Sequence, residues 1–240
     1  MQASGEPERR SPATKGQIVA LGVSAVVLLS ILLGNPAWSA FWDAITGGGE
    51  NSYEFIRTDV DHGRQPVTWD HCIAIRYQVN PDDGPENWQD IVHAAFADVS
   101  DKSGFVFVDA GETRNRVLSG AWTPGSSRGE PVLITWSNQG RLHAMEGAIG
   151  LGGGAPMDVN GRLRFVTGSI VLDSVSHSRT YDPMGTTAQQ AVLEHEIGHV
   201  LGLDHVDDDR QLMYPAYHDQ NDFGPGDIAG LKALHDVPCG

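Results

Sequence analysis

The spacing of apolar residues predicts a β-strand and then an amphipathic helix soon after residue 67. From Ile73 to Val79, apolar side chains alternate with other residues, which is typical of a strand with one buried face. The Asn-Pro-Asp-Asp-Gly stretch at residues 80–84 predicts the turn that ends this strand. Between Pro85 and about Asp101 the apolar residues recur at helical spacing, at Trp88, Ile91, Val92, Ala95, Phe96 and Val99.

Three shorter apolar runs predict further strands, at residues 105–108, 132–136 and 169–173. A second helix is expected to begin at Thr186 or Thr187, because Thr187 followed by Gln190 forms a capping box. The apolar residues between positions 191 and 201 would bury one side of this helix. Its other side, which carries two histidines, would then face a cleft.

The first 42 residues combine a positively charged segment with an apolar one. Residues 1–16 are polar and include three basic residues, and residues 17–42 are uncharged. The uncharged segment predicts a single transmembrane signal anchor, and a signal peptide cleaved near residues 37–39 is the alternative. Because the basic residues precede the segment and acidic residues follow it, the rest of the chain is expected outside the cytoplasm. It would be held at the cell membrane, or secreted if the segment is cleaved.

The remainder of the chain divides into a short segment and a domain. Residues 43–66 contain three consecutive glycines and no sustained periodicity, so we interpret them as a linker. The alternative is that this segment packs on the domain as an extra strand. Residues 67–240 are numerous enough to form one domain with its own hydrophobic core.

Composition narrows the possible partners. The formal net charge is −15, and such a surface repels nucleic acid, so we expect no nucleic-acid partner. The two cysteines, Cys72 and Cys239, lie near the two ends of the predicted domain. A disulfide between them would suit an oxidising compartment, and two unrelated thiols are the alternative. Neither cysteine has the Cys-x-x-Cys spacing of a zinc ligand.

The strongest candidate chemistry lies between residues 193 and 205. His195 and His199 are four residues apart, so on a helix both imidazoles project from one face and can share a metal ion. Gly202 lets the chain leave the helix, and His205 returns as a third nitrogen ligand. Three imidazoles with an open position and the adjacent Glu196 carboxylate predict a catalytic zinc site.

This stretch reads H-E-x-x-H-x-x-G-x-x-H, and Leu-Met-Tyr-Pro follows at residues 212–215. A closing helix is expected at residues 227–234. The three blocks in this order resemble the matrixins, the matrix-metalloprotease-like family of the metzincin clan. The plain layout of anchor, linker and catalytic domain is similar to the minimal bacterial members. The resemblance implies an α+β metzincin-type domain with a twisted, mostly parallel five-stranded sheet and three helices, after the one N-terminal helix.

The resemblance also implies an activity, a zinc metalloendopeptidase acting on extracytoplasmic proteins or peptides. Zinc held by the three histidines would bind a water, and Glu196 would act as general base towards it. Met213 of the Met-turn would support the site without ligating the metal. For the substrate, the resemblance implies a pocket wall at Pro215 and Tyr217 and a sheet edge at Ala148 and Gly150, where an extended peptide could add as a strand.

Several expectations stay open. A catalytically silent surface binding module with the same fold is the main alternative, and a hydrolase of non-peptide amides is another. Calcium could be bound near residues 150–158 or Asp173, whereas a second zinc is not expected because neither His143 nor His177 begins an H-x-D motif. We expect a monomer, and no cysteine switch, since no P-R-C-G-x-P-D motif precedes the domain.

Overall fold

The computed structural model describes residue 49 and residues 51–117, 129–177 and 185–240. The predicted anchor or signal segment at residues 17–42, and the polar residues before it, lie outside this part of the chain. Among the described residues, no helix has both the length and the apolar character needed to cross a bilayer.

Within the described ranges, the fold contains three α-helices and nine strands. The helices are α1 (Trp88–Ser103), α2 (Gly185–Leu201) and α3 (Pro225–His235). The strands are β1 (Glu54–Phe55), β2 (Thr58–Asp59), β3 (Gln65–Pro66), β4 (Ile75–Val79), β5 (Phe107–Glu112), β6 (Val132–Ser137), β7 (Gly150–Val159), β8 (Arg162–Asp173) and β9 (Leu203–Asp204). Two short 3₁₀ turns occur at Val60–His62 and His143–Met145.

Five of the strands form one sheet in the order β5-β4-β6-β8-β7. Neighbouring strands are parallel except β7, which runs antiparallel to β8 and lies at the edge. Helix α2 packs against β7 and β8, while α1 packs against α2 and α3. These features confirm the predicted α+β architecture of three helices with a mostly parallel five-stranded sheet.

The predicted helical stripe forms the contact between α1 and the sheet. Ile91, Val92, Ala95, Phe96 and Val99 are all buried, as the periodicity predicts. The Phe96 ring stacks on Tyr77 of β4 with the ring centroids 3.9 Å apart. Gly104 ends the helix in a left-handed conformation, with φ of 84°.

Some element bounds differ from the prediction. Strand β5 begins at Phe107 instead of residue 105, because Phe105 is itself fully buried and packs edge-on against His235. Strand β8 begins at Arg162, well before residue 169, because it continues from β7 through a two-residue turn. Asn160 and Gly161 form this turn with φ of 54° and 83°, the left-handed conformations that a tight hairpin requires.

Helix α2 also begins earlier than the capping box predicts. It already includes Gly185, so Thr187 lies inside the first turn instead of at the N-cap. The buried residues of this helix are as expected, and they include Ala191, Leu193, Ile197 and Leu201.

The segment predicted as a linker at residues 43–66 packs on the domain from Ser52 onward. Strand β1 pairs with β9, and β2 pairs with β3. Backbone pairing is favourable here because it satisfies the exposed edge of β9. The described part of this segment therefore follows the alternative, an extra strand on the domain, and does not form a free linker.

A disulfide joins the segment before β4 to the C-terminal end of the chain. Cys72 and Cys239 form a disulfide with a Cα–Cα distance of 6.1 Å across 167 residues of sequence. The imidazole Nε2 of His71 lies 3.2 Å from the Cys239 sulfur, and the His71 ring packs on His235 of α3. The disulfide therefore holds the segment before β4 against the C-terminal helix.

Candidate metal centre and active-site cleft

Helix α2 presents two histidines side by side from its polar face. His195 and His199 are one helical turn apart, and their Nε2 atoms lie 3.1 Å from each other. The opposite face of the helix is held in the core by fully buried residues such as Leu193 and Leu201. The pair is therefore fixed by the packing of the helix, as the sequence predicts.

Gly202 turns the chain back so that a third histidine reaches the same point. Its φ is 125°, and a Cβ here would lie 2.9 Å from the Val67 carbonyl oxygen, so the position requires glycine. After the turn, the Nε2 atom of His205 lies 3.2 Å from that of His195 and 3.1 Å from that of His199. The three predicted ligands therefore converge on one point.

Backbone carbonyls determine which ring nitrogens are free. His195 Nδ1 donates to the Leu212 oxygen at 2.7 Å, and His199 Nδ1 donates to the Leu203 oxygen at 2.8 Å. Because a carbonyl can only accept, each Nδ1 carries the proton and each Nε2 presents a lone pair. Burial lowers the pKa of His195 to about 3 and that of His199 to about 4, so both rings stay neutral.

This donor set fits a zinc ion. Zinc–nitrogen bonds of about 2.0–2.1 Å in a tetrahedral site place the ligand nitrogens about 3.3 Å apart. The three Nε2 atoms are separated by 3.1–3.2 Å. At least two of them have no proton to share with their neighbours, so a cation is the natural partner for the cluster.

Glu196 is buried beside this cluster, against the edge strand of the sheet. Its side chain is only 5% exposed, and burial raises its pKa to about 8. A Cβ at Gly150 would lie 2.5 Å from Glu196 Oε1, and one at Gly152 would lie 2.8 Å from Oε2. The two glycines of β7 therefore leave the space that the carboxylate occupies.

The cluster lies in a cleft of about 780 Å³ between the sheet edge and the loop after α2. All four residues predicted to bind substrate line this cleft: Ala148, Gly150, Pro215 and Tyr217. Ala148 precedes β7, so only Gly150 of the predicted edge pair belongs to the strand. Ile56, His218 and Gln220 also line the cleft and were not predicted.

Met213 packs against α2 at Gly198, next to the metal-site residue His199 in the chain. A Cβ at Gly198 would lie 2.7 Å from the Met213 sulfur, so the methionine packs against the helix where it has no side chain. Met213 is 1% exposed, and Val206 donates its N–H to the Met213 oxygen at 3.1 Å. The buried methionine therefore packs on the helix that carries His195 and His199, and its supporting role stays a prediction.

Asp227 is a residue of the site that the sequence analysis missed. Its buried carboxylate accepts from the N–H of Leu212 at 2.6 Å and from the N–H of Gly224 at 2.9 Å. It also lies 3.4 Å from the N–H of Met213. Since the Leu212 oxygen accepts from His195, Asp227 connects α3 to a metal-site histidine through the backbone of Leu212. An acid in the first turn of a helix was the available signal.

Asp204, the residue before the third histidine, makes a local contact. Its Oδ1 accepts from the backbone N–H of His205 at 2.8 Å. In the part of the chain that the structure describes, residues of metal-ligand type cluster in threes at the histidine site and at His71, Cys72 and Cys239. The second group contains the disulfide, so its sulfurs are already bonded.

Comparison with known proteins identifies relatives of one kind. The family model of the matrixin peptidases matches residues 68–236. Metalloendoproteinase 1 of Glycine max is 29% identical over 110 residues, 44% of this chain and 35% of that protein. Macrophage metalloelastase of Oryctolagus cuniculus is 43% identical over 51 residues, and matrix metalloproteinase-20 of Homo sapiens 44% over 48. These two matches cover 20% and 18% of this chain and 11% and 10% of the relatives, so the chain spans a minor part of each.

Proposed function

Since this chain belongs to the matrixin family of metallopeptidases, we propose that it is a zinc-dependent endopeptidase that cleaves proteins outside the cytoplasm. The main support for this proposal is that three histidine Nε2 atoms converge inside a cleft, beside a buried carboxylate. The metal ligands are His195, His199 and His205.

When bound, zinc supplies Lewis acidity towards the scissile carbonyl and makes a water molecule acidic near neutral pH. The other steps belong to the protein. Burial alone favours the protonated form of Glu196, and the positive charge of a bound zinc ion would favour the ionised form. The ionised carboxylate would accept the proton of the attacking water and then deliver it to the leaving amine. Its burial against Gly150 and Gly152 keeps bulk water away and holds it at one position relative to the histidines.

The edge of the sheet orients the substrate. Among the residues that the structure describes, strand β7 pairs with β8 on one side only, and its first residues line the cleft. An extended peptide can pair with this edge through backbone hydrogen bonds, with little demand on its sequence. Pro215 and Tyr217, across the cleft, form the wall of the pocket for the side chain after the cut.

The location of the enzyme follows from the N-terminal pattern. We propose that residues 17–42 anchor the chain in the cell membrane with the catalytic domain outside the cytoplasm; the alternative is a cleaved signal peptide and a secreted domain. Fractionation of cells that make the full chain should recover the protein with the membranes. Protease treatment of intact spheroplasts should degrade the catalytic domain. A soluble, protease-protected chain would contradict this location.

Zinc content and cleavage of an unfolded protein, measured together, test the activity. The wild type should contain one zinc per chain and cut the substrate, and a chelator should abolish the cutting. Glu196→Ala should keep the zinc and lose the cleavage by about 10²-fold or more, whereas the control Glu146→Ala, at an exposed position, should match the wild type.

The alternatives give different results. A binding module with the same fold would hold zinc but leave every protein substrate intact. A hydrolase of non-peptide amides would cut small amides in a Glu196-dependent reaction and leave peptides intact. Either result would refute the endopeptidase assignment.

A further inference from the structure

The segment before the family match forms part of the cleft wall. The matrixin match begins at residue 68, so the strand β1 and the residue after it lie outside the matched region. Ile56 nevertheless lines the same cleft as the three histidines and Glu196. The cleft therefore includes a residue from outside the matched region.

Backbone pairing holds this segment beside the third histidine. Glu54 pairs with Asp204, and Phe55 pairs with Leu203. The N–H of Ile56 donates to the Gly202 oxygen at 3.0 Å. The segment is thus attached to the chain that leads from α2 into His205.

Side chains fix the segment on its other side. Phe55 packs against the hydrophobic core, and its ring lies 5.4 Å from that of Tyr53. Ser52 and Tyr53 lie over two glycines of α3, where a Cβ at Gly230 would be 2.9 Å from the Tyr53 Cβ. Because the residues on both sides of position 55 are exposed while Phe55 turns inward, the position of Ile56 is determined by its neighbours.

Ile56 is a large apolar side chain that remains 44% exposed in the cleft. Contact with an apolar substrate side chain would remove this surface from water, which is favourable. Asp204, the cleft-lining residue of the neighbouring strand, is acidic and exposed, so an acidic substrate side chain would be repelled.

We propose that Ile56 is a specificity-determining residue, which forms the apolar wall of one substrate subsite and selects peptides with an apolar side chain at the matching position. This inference rests on the proposed peptidase function. It concerns which peptides are cut, not the ability to cut them.

A peptide library randomised one position at a time tests this inference, with kcat/KM measured for wild type, Ile56→Ala and Ile56→Asp. The preference for apolar residues at one position should fall by about tenfold in both variants, since a few methylenes in a pocket are worth about that much. Ile56→Asp should also gain a preference for basic residues there. The other positions should keep the wild-type profile.

Val60→Asp is the matched control, because Val60 belongs to the same segment, is 71% exposed and does not line the cleft. Its profile should equal that of the wild type. If Ile56→Asp does not fold, as judged by its melting temperature, Ile56→Thr takes its place, because threonine is also β-branched but is smaller and polar.

Two results would overturn the inference while leaving the proposed function in place. One is an unchanged profile in the Ile56 variants. The other is an equal loss at every position, or in the Val60 control, which indicates a structural effect. A wild type that cuts no peptide in the library would instead overturn the proposed function, and the inference with it.

Discussion

Replacing Asp227 with alanine should weaken metal binding although the residue contacts no metal ligand side chain. Its carboxylate accepts from the N–H groups of Leu212 and Gly224, and the Leu212 oxygen in turn accepts from His195. Without the carboxylate, the two N–H groups that donate at 2.6 and 2.9 Å lose their acceptor, and the 3.4 Å contact with the Met213 N–H is lost as well. The backbone of Leu212, whose oxygen orients His195, is then no longer held by α3.

The magnitudes for stability and for metal binding differ. Leaving two buried N–H groups unsatisfied costs about 1–3 kcal/mol each. Burial raises the pKa of Asp227 to about 6, so at pH 7 the charged carboxylate itself costs about 3 kcal/mol, which the variant relieves. The net loss of stability should be at most about 3 kcal/mol, while zinc affinity should fall by about tenfold, the lower end for an outer-shell partner.

Competition with a chromophoric chelator measures the zinc affinity, and urea denaturation of the metal-free protein measures the stability. Asp227→Asn keeps one acceptor oxygen and should fall between wild type and the alanine variant. Asp236→Ala is the control, since Asp236 follows the same helix and is exposed. If Asp227→Ala loses stability but binds zinc as tightly as the wild type, the coupling through Leu212 is refuted.

Three other predictions concern stability. Gly198→Ala should lower the free energy of unfolding by about 1–3 kcal/mol, because its Cβ would overlap the Met213 sulfur; urea denaturation that shows a gain would contradict this packing. Replacing Cys72 and Cys239 with serine should cost about 2–4 kcal/mol in the same assay and leave the zinc content unchanged. Because the pKa of Asp227 is raised to about 6 from about 3.9 in an unfolded chain, the folded state binds this proton more tightly. The stability that this proton contributes to the folded state is fully present below about pH 4 and is lost as the pH rises through 6. Between pH 4 and 6, the unfolding free energy of the metal-free wild type should therefore fall more than that of Asp227→Ala.

The parts of the site that depend on near neighbours in the chain could be predicted. The spacing of His195 and His199 places both imidazoles on one helical face whatever the rest of the fold is. Gly202 allows the turn that returns His205, and the apolar stripe of α1 determines which side of that helix is buried. In each case the interacting groups are a few residues apart, so the local pattern contains the information.

One missed feature was available in the sequence. Asn160-Gly161 is a strong signal for a tight hairpin, and it accounts for the long pairing of β7 with β8. This signal predicts a strand β8 that begins at Arg162. The start of α2 differs from the prediction by one or two residues, because a capping box locates the first residue of a helix only to that precision.

Other features could be decided only by the tertiary structure, because they join residues that are far apart in sequence. The pairing of Glu54 with Asp204 turns an apparent linker into a wall of the cleft. Asp227 reaches back to Leu212, and glycines of β7 make room for Glu196. Nothing in the local pattern of either partner specifies these contacts, since each depends on how the helices and the sheet pack. The sequence by itself thus determined the convergence of three histidines and the kind of fold that presents them, while the packing decided what surrounds, supports and limits access to them.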